Sequence, residues 1–310
     1  MDQAISASHV SRFYGRFEAL KDVTFEVPSG SIFGFLGPNG AGKTTTLYVL
    51  LGLLPPKTGK VKVLGLDPVA SGDILRSQVG CLLEEPGLYD SLSVKDNLLF
   101  FGRVQRMDER TLEKRIIDTL EFFELSDFSK TKAGKLSKGM KQKAALARSI
   151  LALPKLLFLD EPTANLDPEA SVAFRELIVN LAKKHGITVF LNTHRLDEAQ
   201  KICDNIAIIK KGTVMLTGRT SDLLNSSQKT NVSIKAKGFD GDSIAKLGLL
   251  ASQSTISGET LTTSLPGHDQ VAGLVSKCVN LGYGVYEVKP STLSLEELFV
   301  NVMENSDHDK

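Results

Sequence analysis

Four short runs of the chain are apolar without polar alternation, at residues 31–36, 156–159, 188–191 and 206–209. Runs of that length and texture predict strands buried on both faces, and so a largely parallel sheet covered by helices on either side. Between the first and second runs lies a stretch, about 92–153, in which Ile116, Leu120 and Phe123 recur at helical spacing. It predicts an inserted helical subdomain. Beyond Gly218 the texture changes. Residues 225–230 are polar, and the rest reads strand, helix, strand, strand, helix, strand, helix, the order of a ferredoxin-like split βαβ. Ser294 and Glu297, placed ahead of Leu298, Phe299 and Val300, predict a capped final helix. The expected organisation is a large α/β domain over 1–218 and a small C-terminal α/β domain over 219–310.

The clearest chemistry follows the first apolar run. Gly37, Pro38, Asn39, Gly40, Ala41 and Gly42 lead into Lys43, Thr44 and Thr45. At this spacing a glycine-rich loop wraps phosphates with backbone N–H groups, the lysine reaches the outer phosphates and the threonine hydroxyl binds magnesium. A strand feeds the loop and a helix leaves it, stopped by Gly52, so the helix N-terminus is aimed at the anion. Nucleotide binding is the expectation, with Mg²⁺ held beside the phosphates.

Two adjacent carboxylates, Asp160 and Glu161, close the second apolar run ahead of Pro162. Carboxylates at a buried strand end are costly unless they serve a cation or a proton. Asp160 is the candidate for holding magnesium. Glu161 is the candidate for orienting or deprotonating an attacking water. A third run closes on Asn192, Thr193 and His194, where the imidazole can hydrogen-bond a terminal phosphate.

Charge and composition narrow the partners. Thirty-seven basic against thirty-six acidic residues leave a net charge of +1, so no global attraction to nucleic acid or anionic lipid is expected. Cys81, Cys203 and Cys278 are widely separated and lack metal-ligand spacing, which suits a reducing compartment. The N-terminus has no signal-peptide layout, and the most apolar stretch, 150–159, is short and broken by Pro154 and Lys155. No membrane span is expected.

Read in order along one chain, these residues resemble the ATP-binding cassette family, in particular the branch that powers antibiotic, lipid and other exporters through separately encoded membrane subunits. The resemblance covers about 4–218 and implies a P-loop NTPase with a RecA-like core, an antiparallel β edge and a helical subdomain. Tyr14 falls where the family has an adenine-stacking aromatic. Leu136, Ser137, Lys138, Gly139 and Met140 are similar to the family signature Leu-Ser-Gly-Gly-Gln, which implies that Ser137 and Gly139 meet the ATP held by an opposing subunit. Ala164, Asn165, Leu166 and Asp167 resemble the loop that communicates between the two sites. Glu84 stands where the family usually has a glutamine touching magnesium, and a carboxylate there would bind the metal more strongly.

The resemblance further implies catalysis by Lys43, Glu161 and His194, with Thr44, Glu84 and Asp160 around the metal. Two cassettes, identical or paralogous, would pair head to tail at the cytoplasmic face of the membrane. A separate permease would dock on 84–89 with 92–101, and no nucleic acid is expected as a partner. Ser137 by itself reads as a helix cap. Lys138, Lys141 and Lys143 crowd that helix start, where the dipole disfavours cations, so either the three extend into water or they meet an anion outside the chain, Lys138 above all. Two rival functions share the phosphate loop. A soluble cassette protein of translation or DNA maintenance usually has two cassettes or coiled-coil arms, which this chain lacks; a non-hydrolysing sensor would not need Glu161 and His194.

Overall fold

The apolar runs form the strands Ile32–Leu36, Leu156–Asp160, Thr188–Thr193 and Asn205–Lys210, and every residue of the first three is buried. In this computed structural model, which describes residues 2–225, 230–267, 269–291 and 294–305, they lie in a six-stranded sheet. Its order is Val79–Leu82, Leu156–Asp160, Thr188–Thr193, Ile32–Leu36, Asn205–Lys210, Thr213–Arg219. The first five strands are mutually parallel. Burial on both faces explains why they lack polar alternation.

The antiparallel strands expected at the edge of this sheet form a sheet of their own, ordered Phe17–Pro28, Gln3–Tyr14, Thr58–Val63. Packing sets that arrangement. Phe25, on the first of these strands, meets Phe33, Phe35 and Phe190 with ring centroids 5.1 to 6.0 Å apart, so the smaller sheet lays its apolar face on the larger one. Truncating such a fully buried phenylalanine costs about 3–5 kcal/mol, a large part of a domain's net stability.

Between the strands Val79–Leu82 and Leu156–Asp160 run the helices Val94–Val104, Glu109–Phe122 and Lys138–Ile150. Each begins on a side chain that accepts a hydrogen bond from the first turn, Ser93, Asp108 and Ser137 in order, relieving an otherwise unpaired N–H. Leu112, Ile116 and Leu120 point inward while Ile117 is exposed, as the helical period requires.

The chain divides into two compact units, Met1–Gly218 and Arg219–Lys310. Of the polar segment 225–230, residues 226–229 lie outside the described residues. The second unit has a four-stranded sheet ordered Ser254–Ser257, Thr260–Leu265, Thr230–Lys237, Gly284–Ser291, antiparallel throughout. Its core gathers Val232, Ile234, Leu261, Leu265, Leu274 and Cys278. The final helix, Leu295–Asn305, starts with a reciprocal cap: Ser294 N donates to Glu297 Oε2 at 2.8 Å and Glu297 N donates to Ser294 Oγ at 3.2 Å. Among the described residues, no helix is long and apolar enough to cross a membrane.

Candidate active site

Parallel pairing brings the ends of three strands to one rim. Leu36 lies beside Thr193, and Asp160 beside Asn192, so the loop after Leu36, the acid pair and His194 leave the sheet together. Residues 37–42 turn back with Gly40 at φ 76° and Gly42 at φ 112°, conformations that side chains disfavour. A Cβ on Gly37 would lie 2.5 Å from the Ile209 carbonyl oxygen, so glycine is required for the loop to hug the sheet. Ala41 is tied down on both sides, its N–H donating to Pro38 O and its carbonyl accepting from Gly212 N. The helix Lys43–Leu50 has no acid in its first turn. Its open N–H groups and dipole favour an anion.

Lys43 is buried, and its Nζ donates to Gly37 O at 2.8 Å. Glu161 Oε1 lies 3.3 Å from the same ammonium, an electrostatic contact without hydrogen-bond geometry. Glu161 itself has φ 47°, a left-handed conformation that costs a non-glycine residue about 1 kcal/mol or more. Its N–H donates to Asn192 O at 2.9 Å, which locks that turn. The strain aims the carboxylate off the strand, where Oε2 also lies 2.9 Å from His194 Nδ1. One carboxylate is thus held between a lysine and a half-exposed histidine.

Asp160 is buried on the other branch of the rim. Its Oδ2 accepts from Thr44 Oγ1 and its Oδ1 from Asn192 Nδ2, both at 3.2 Å. Burial raises the carboxyl above its ordinary range, and the two hydrogen bonds only partly offset this. A desolvated carboxylate and a threonine hydroxyl in contact are hard oxygen donors, which fits Mg²⁺. Among the described residues no group of three acidic, histidine or cysteine side chains is gathered to hold a metal alone. Substrate phosphates would have to complete the coordination.

These groups line one cavity of about 420 Å³, with Thr44, Asp160, Glu161 and His194 at one part and Tyr14 and Phe17 among its apolar walls. The volume falls in the usual range for small-molecule sites. Pro38, Asn39, Gly40, Gly42, Lys43 and Thr45 also border it. Glu84 borders it too, from an exposed loop position, without joining Asp160 in a metal-binding cluster. Tyr14 is 46% exposed, so one side of its ring is open. The guanidinium of Arg12 lies 5.6 Å from the ring centroid and is anchored by Nη1 donating to Pro55 O at 2.7 Å.

The model of the ABC transporter family matches residues 20–164. A Nod factor export ATP-binding protein I from Rhizobium johnstonii is 36% identical over 282 residues, covering 90% of this chain and 89% of that protein. This chain belongs to the ATP-binding subunits of the ABC transporter family. The bacitracin transport ATP-binding protein BcrA of Bacillus licheniformis is also 36% identical, over 69% of each chain. Among solved structures, cbiO1 from Clostridium perfringens, part of the ABC transporter complex cbiONQ, aligns with TM-score 0.68 and 28% identity over 73% of this chain and 92% of its own. A bacterial ABC transporter cassette solved in dimeric form aligns with TM-score 0.62 and 26% identity over 70% and 98%.

In this cassette the signature residues do not join the cavity. Ser137 caps the helix Lys138–Ile150, its Oγ accepting from Met140 N at 3.2 Å, and Gly139 packs toward Ala170, where a Cβ would sit 3.2 Å from the alanine methyl. Asp167 caps the helix Pro168–His185, its Oδ1 accepting from Ala170 N at 2.8 Å. Lys141 and Lys143 neither extend freely nor await an outside anion: they pair with Asp90 at 2.5 Å and Glu124 at 3.1 Å. Asn192 and Arg12 were not singled out from the sequence as site residues. Asn192 stands in the polar strand end with His194, which was its signal; Arg12 had none, because its contact with Tyr14 depends on how the strand Gln3–Tyr14 ends.

Proposed function

We propose that this cassette hydrolyses ATP to ADP and phosphate and thereby drives export through a separate membrane subunit. The observation that carries this reading is the strained placement of Glu161, with its carboxylate held between Lys43 and His194 at the phosphate end of the cavity. A strand-end acid serving only solubility would have no reason to be buried there.

ATP enters with its base on the open face of Tyr14 and its phosphates along residues 37–45. Phosphate oxygens compete with Gly37 O and Glu161 for the Lys43 ammonium. Charge-assisted contacts to phosphate are stronger than those to a neutral carbonyl, so Lys43 turns to the nucleotide and Glu161 Oε1 becomes available to a water. Glu161 orients that water in line with the terminal phosphate and accepts its proton, while Lys43 and His194 stabilise charge on the phosphoryl oxygens. Thr44 and Asp160 would hold Mg²⁺, with Glu84 within the same cavity; when bound, the ion supplies Lewis-acid neutralisation of phosphate charge.

Two copies, or this chain and a paralogue, pair head to tail so that Ser137, Gly139 and Asp167 of each face the other's ATP. The membrane subunit docks at the cytoplasmic face, beside the loop carrying Glu84. Support comes from a groove of about 310 Å³ lined by Cys81, Leu83, Phe101 and Arg148 and from the adjoining rings of Tyr89, Phe100 and Phe101, whose centroids are 5.0 to 6.0 Å apart. An apolar helix fits such a surface. Residues 219–310 form a ferredoxin-like domain that stabilises pairing. The export direction rests on the names of the export and antibiotic-transport relatives.

The test is phosphate release by the purified chain with and without Mg²⁺, beside Glu161→Gln. The amide keeps the shape but cannot take a proton, so turnover falls by about 10²–10⁴-fold while equilibrium ATP binding persists. Wild-type turnover in Glu161→Gln would overturn the assignment.

A further inference from the structure

The helix Leu196–Ile202 contributes a carboxylate that the chemistry above does not use. Glu198 is only 3% exposed. It accepts from Thr163 Oγ1 at 2.5 Å and from Arg175 Nη1 at 2.7 Å, and Arg195 Nη1 lies 3.0 Å away. Two guanidinium groups therefore share one buried carboxylate. Removing one member of such a set leaves charge uncompensated in a poorly solvated place.

The partners of Glu198 come from three different segments. Thr163 follows Glu161 by two positions, and its carbonyl accepts from Leu166 N at 3.2 Å, which sets the turn of 164–167. Arg195 directly follows His194, and its N–H donates to Thr193 Oγ1 at 3.0 Å. Arg175 lies on the helix Pro168–His185, the one capped by Asp167. Arg195 closes the set, its Nη1 donating to Thr163 O at 3.2 Å and reaching Ser171 Oγ at 3.5 Å.

We propose that Glu198 is a positioning residue that locks the His194 loop to the 164–167 segment, so that contact with the terminal phosphate and contact with the second subunit move as one element. The proposal rests on the hydrolysis reading for its consequence, not for its geometry. A backbone shift of the loop that brings His194 toward phosphate carries the adjacent Arg195 with it. Arg195 is fastened, through Glu198 and directly, to Thr163 and hence to the segment ending at Asp167. A coupling of this kind requires a rigid unit that both sites bias, and a buried, fully engaged ion cluster is rigid.

The experiment compares wild type and Glu198→Gln by hydrogen exchange and by turnover. Exchange should rise together in 163–167 and 193–196 and stay unchanged in 37–45. kcat should fall about tenfold or more while the affinity for a fluorescent ATP analogue shifts by less than about threefold. Loosening of only one loop, equal loosening of the phosphate loop, or an unchanged kcat in an active background would overturn the proposal. Should Glu198→Gln not fold, Thr163→Val deletes one donor and leaves both arginines paired. It should loosen the same two loops to a smaller degree, and unchanged exchange in it would be equally decisive. A wild-type chain without turnover would refute hydrolysis, yet the exchange result would still decide the coupling.

Discussion

Two segments of this chain combine glycine, lysine and a hydroxyl at the start of a helix, and they are built for different neighbours. At 37–45 the polar groups turn inward: Lys43 is buried, Thr44 reaches Asp160, and the helix start has no acid. At 136–140 the hydroxyl of Ser137 is committed to its own helix, and Lys141 and Lys143 are committed to Asp90 and Glu124. Lys138 makes no ion pair among the described residues. The first segment finds its chemical partners on strand ends of the same chain. The second segment borders no part of the nucleotide cavity of its own chain, and in the proposed head-to-tail pair its glycine and backbone donors would serve the ATP of the other subunit.

Changes at the two segments should therefore separate binding from pairing. The largest effect is expected at the first. Lys43→Ala removes a charge-assisted contact of about 1.5–3 kcal/mol, so ATP affinity should fall about 10- to 100-fold in an equilibrium titration of the isolated chain. An unchanged affinity would mean that the loop and the lysine do not act together.

A smaller effect sharpens what burial of the acid means. The native Asp160 carboxyl lies above the usual 3.8 because it is desolvated. The folded chain then holds that proton more tightly than the unfolded chain, so this group's contribution to stability is full below the ordinary carboxylate range. It is lost as pH rises through the native pKa. Asp160→Asn removes the charge at neutral pH and should raise the melting temperature of the nucleotide-free protein, by about 2–4 °C for each kcal/mol recovered. The gap should close as the pH falls below 4. A variant that is less stable than wild type at pH 7 would show that the hydrogen bonds from Asn192 and Thr44, with Lys43 beside them, outweigh desolvation.

Much of the fold is legible in local pattern. Unbroken apolar runs mark strands covered on both faces, and the glycine loop between strand and helix marks the anion site, because period and spacing are local quantities. What pattern does not contain is contact over distance. Lys141 and Asp90 are fifty-one positions apart, so the lysine run looks like a free cationic patch until the chain folds. The separate antiparallel sheet follows from where Phe25 packs, and sequence alternation does not express that. Glu161 is visible as an acid, but its left-handed backbone is imposed by the turn onto Asn192. Glu198 looks like an ordinary helical surface acid; only burial against two arginines makes it distinct.

The most direct test of a site shared by two chains is sedimentation of the Glu161→Gln protein with ATP and with ADP, alongside the double variant that adds Ser137→Arg. Binding that spans an interface stabilises the dimer in proportion to the ligand's preference for it. ATP should produce a dimer, ADP should leave a monomer, and the added arginine should abolish the dimer while ATP still binds. Equal dimerisation with both nucleotides, or an ATP dimer indifferent to the arginine at position 137, would contradict it.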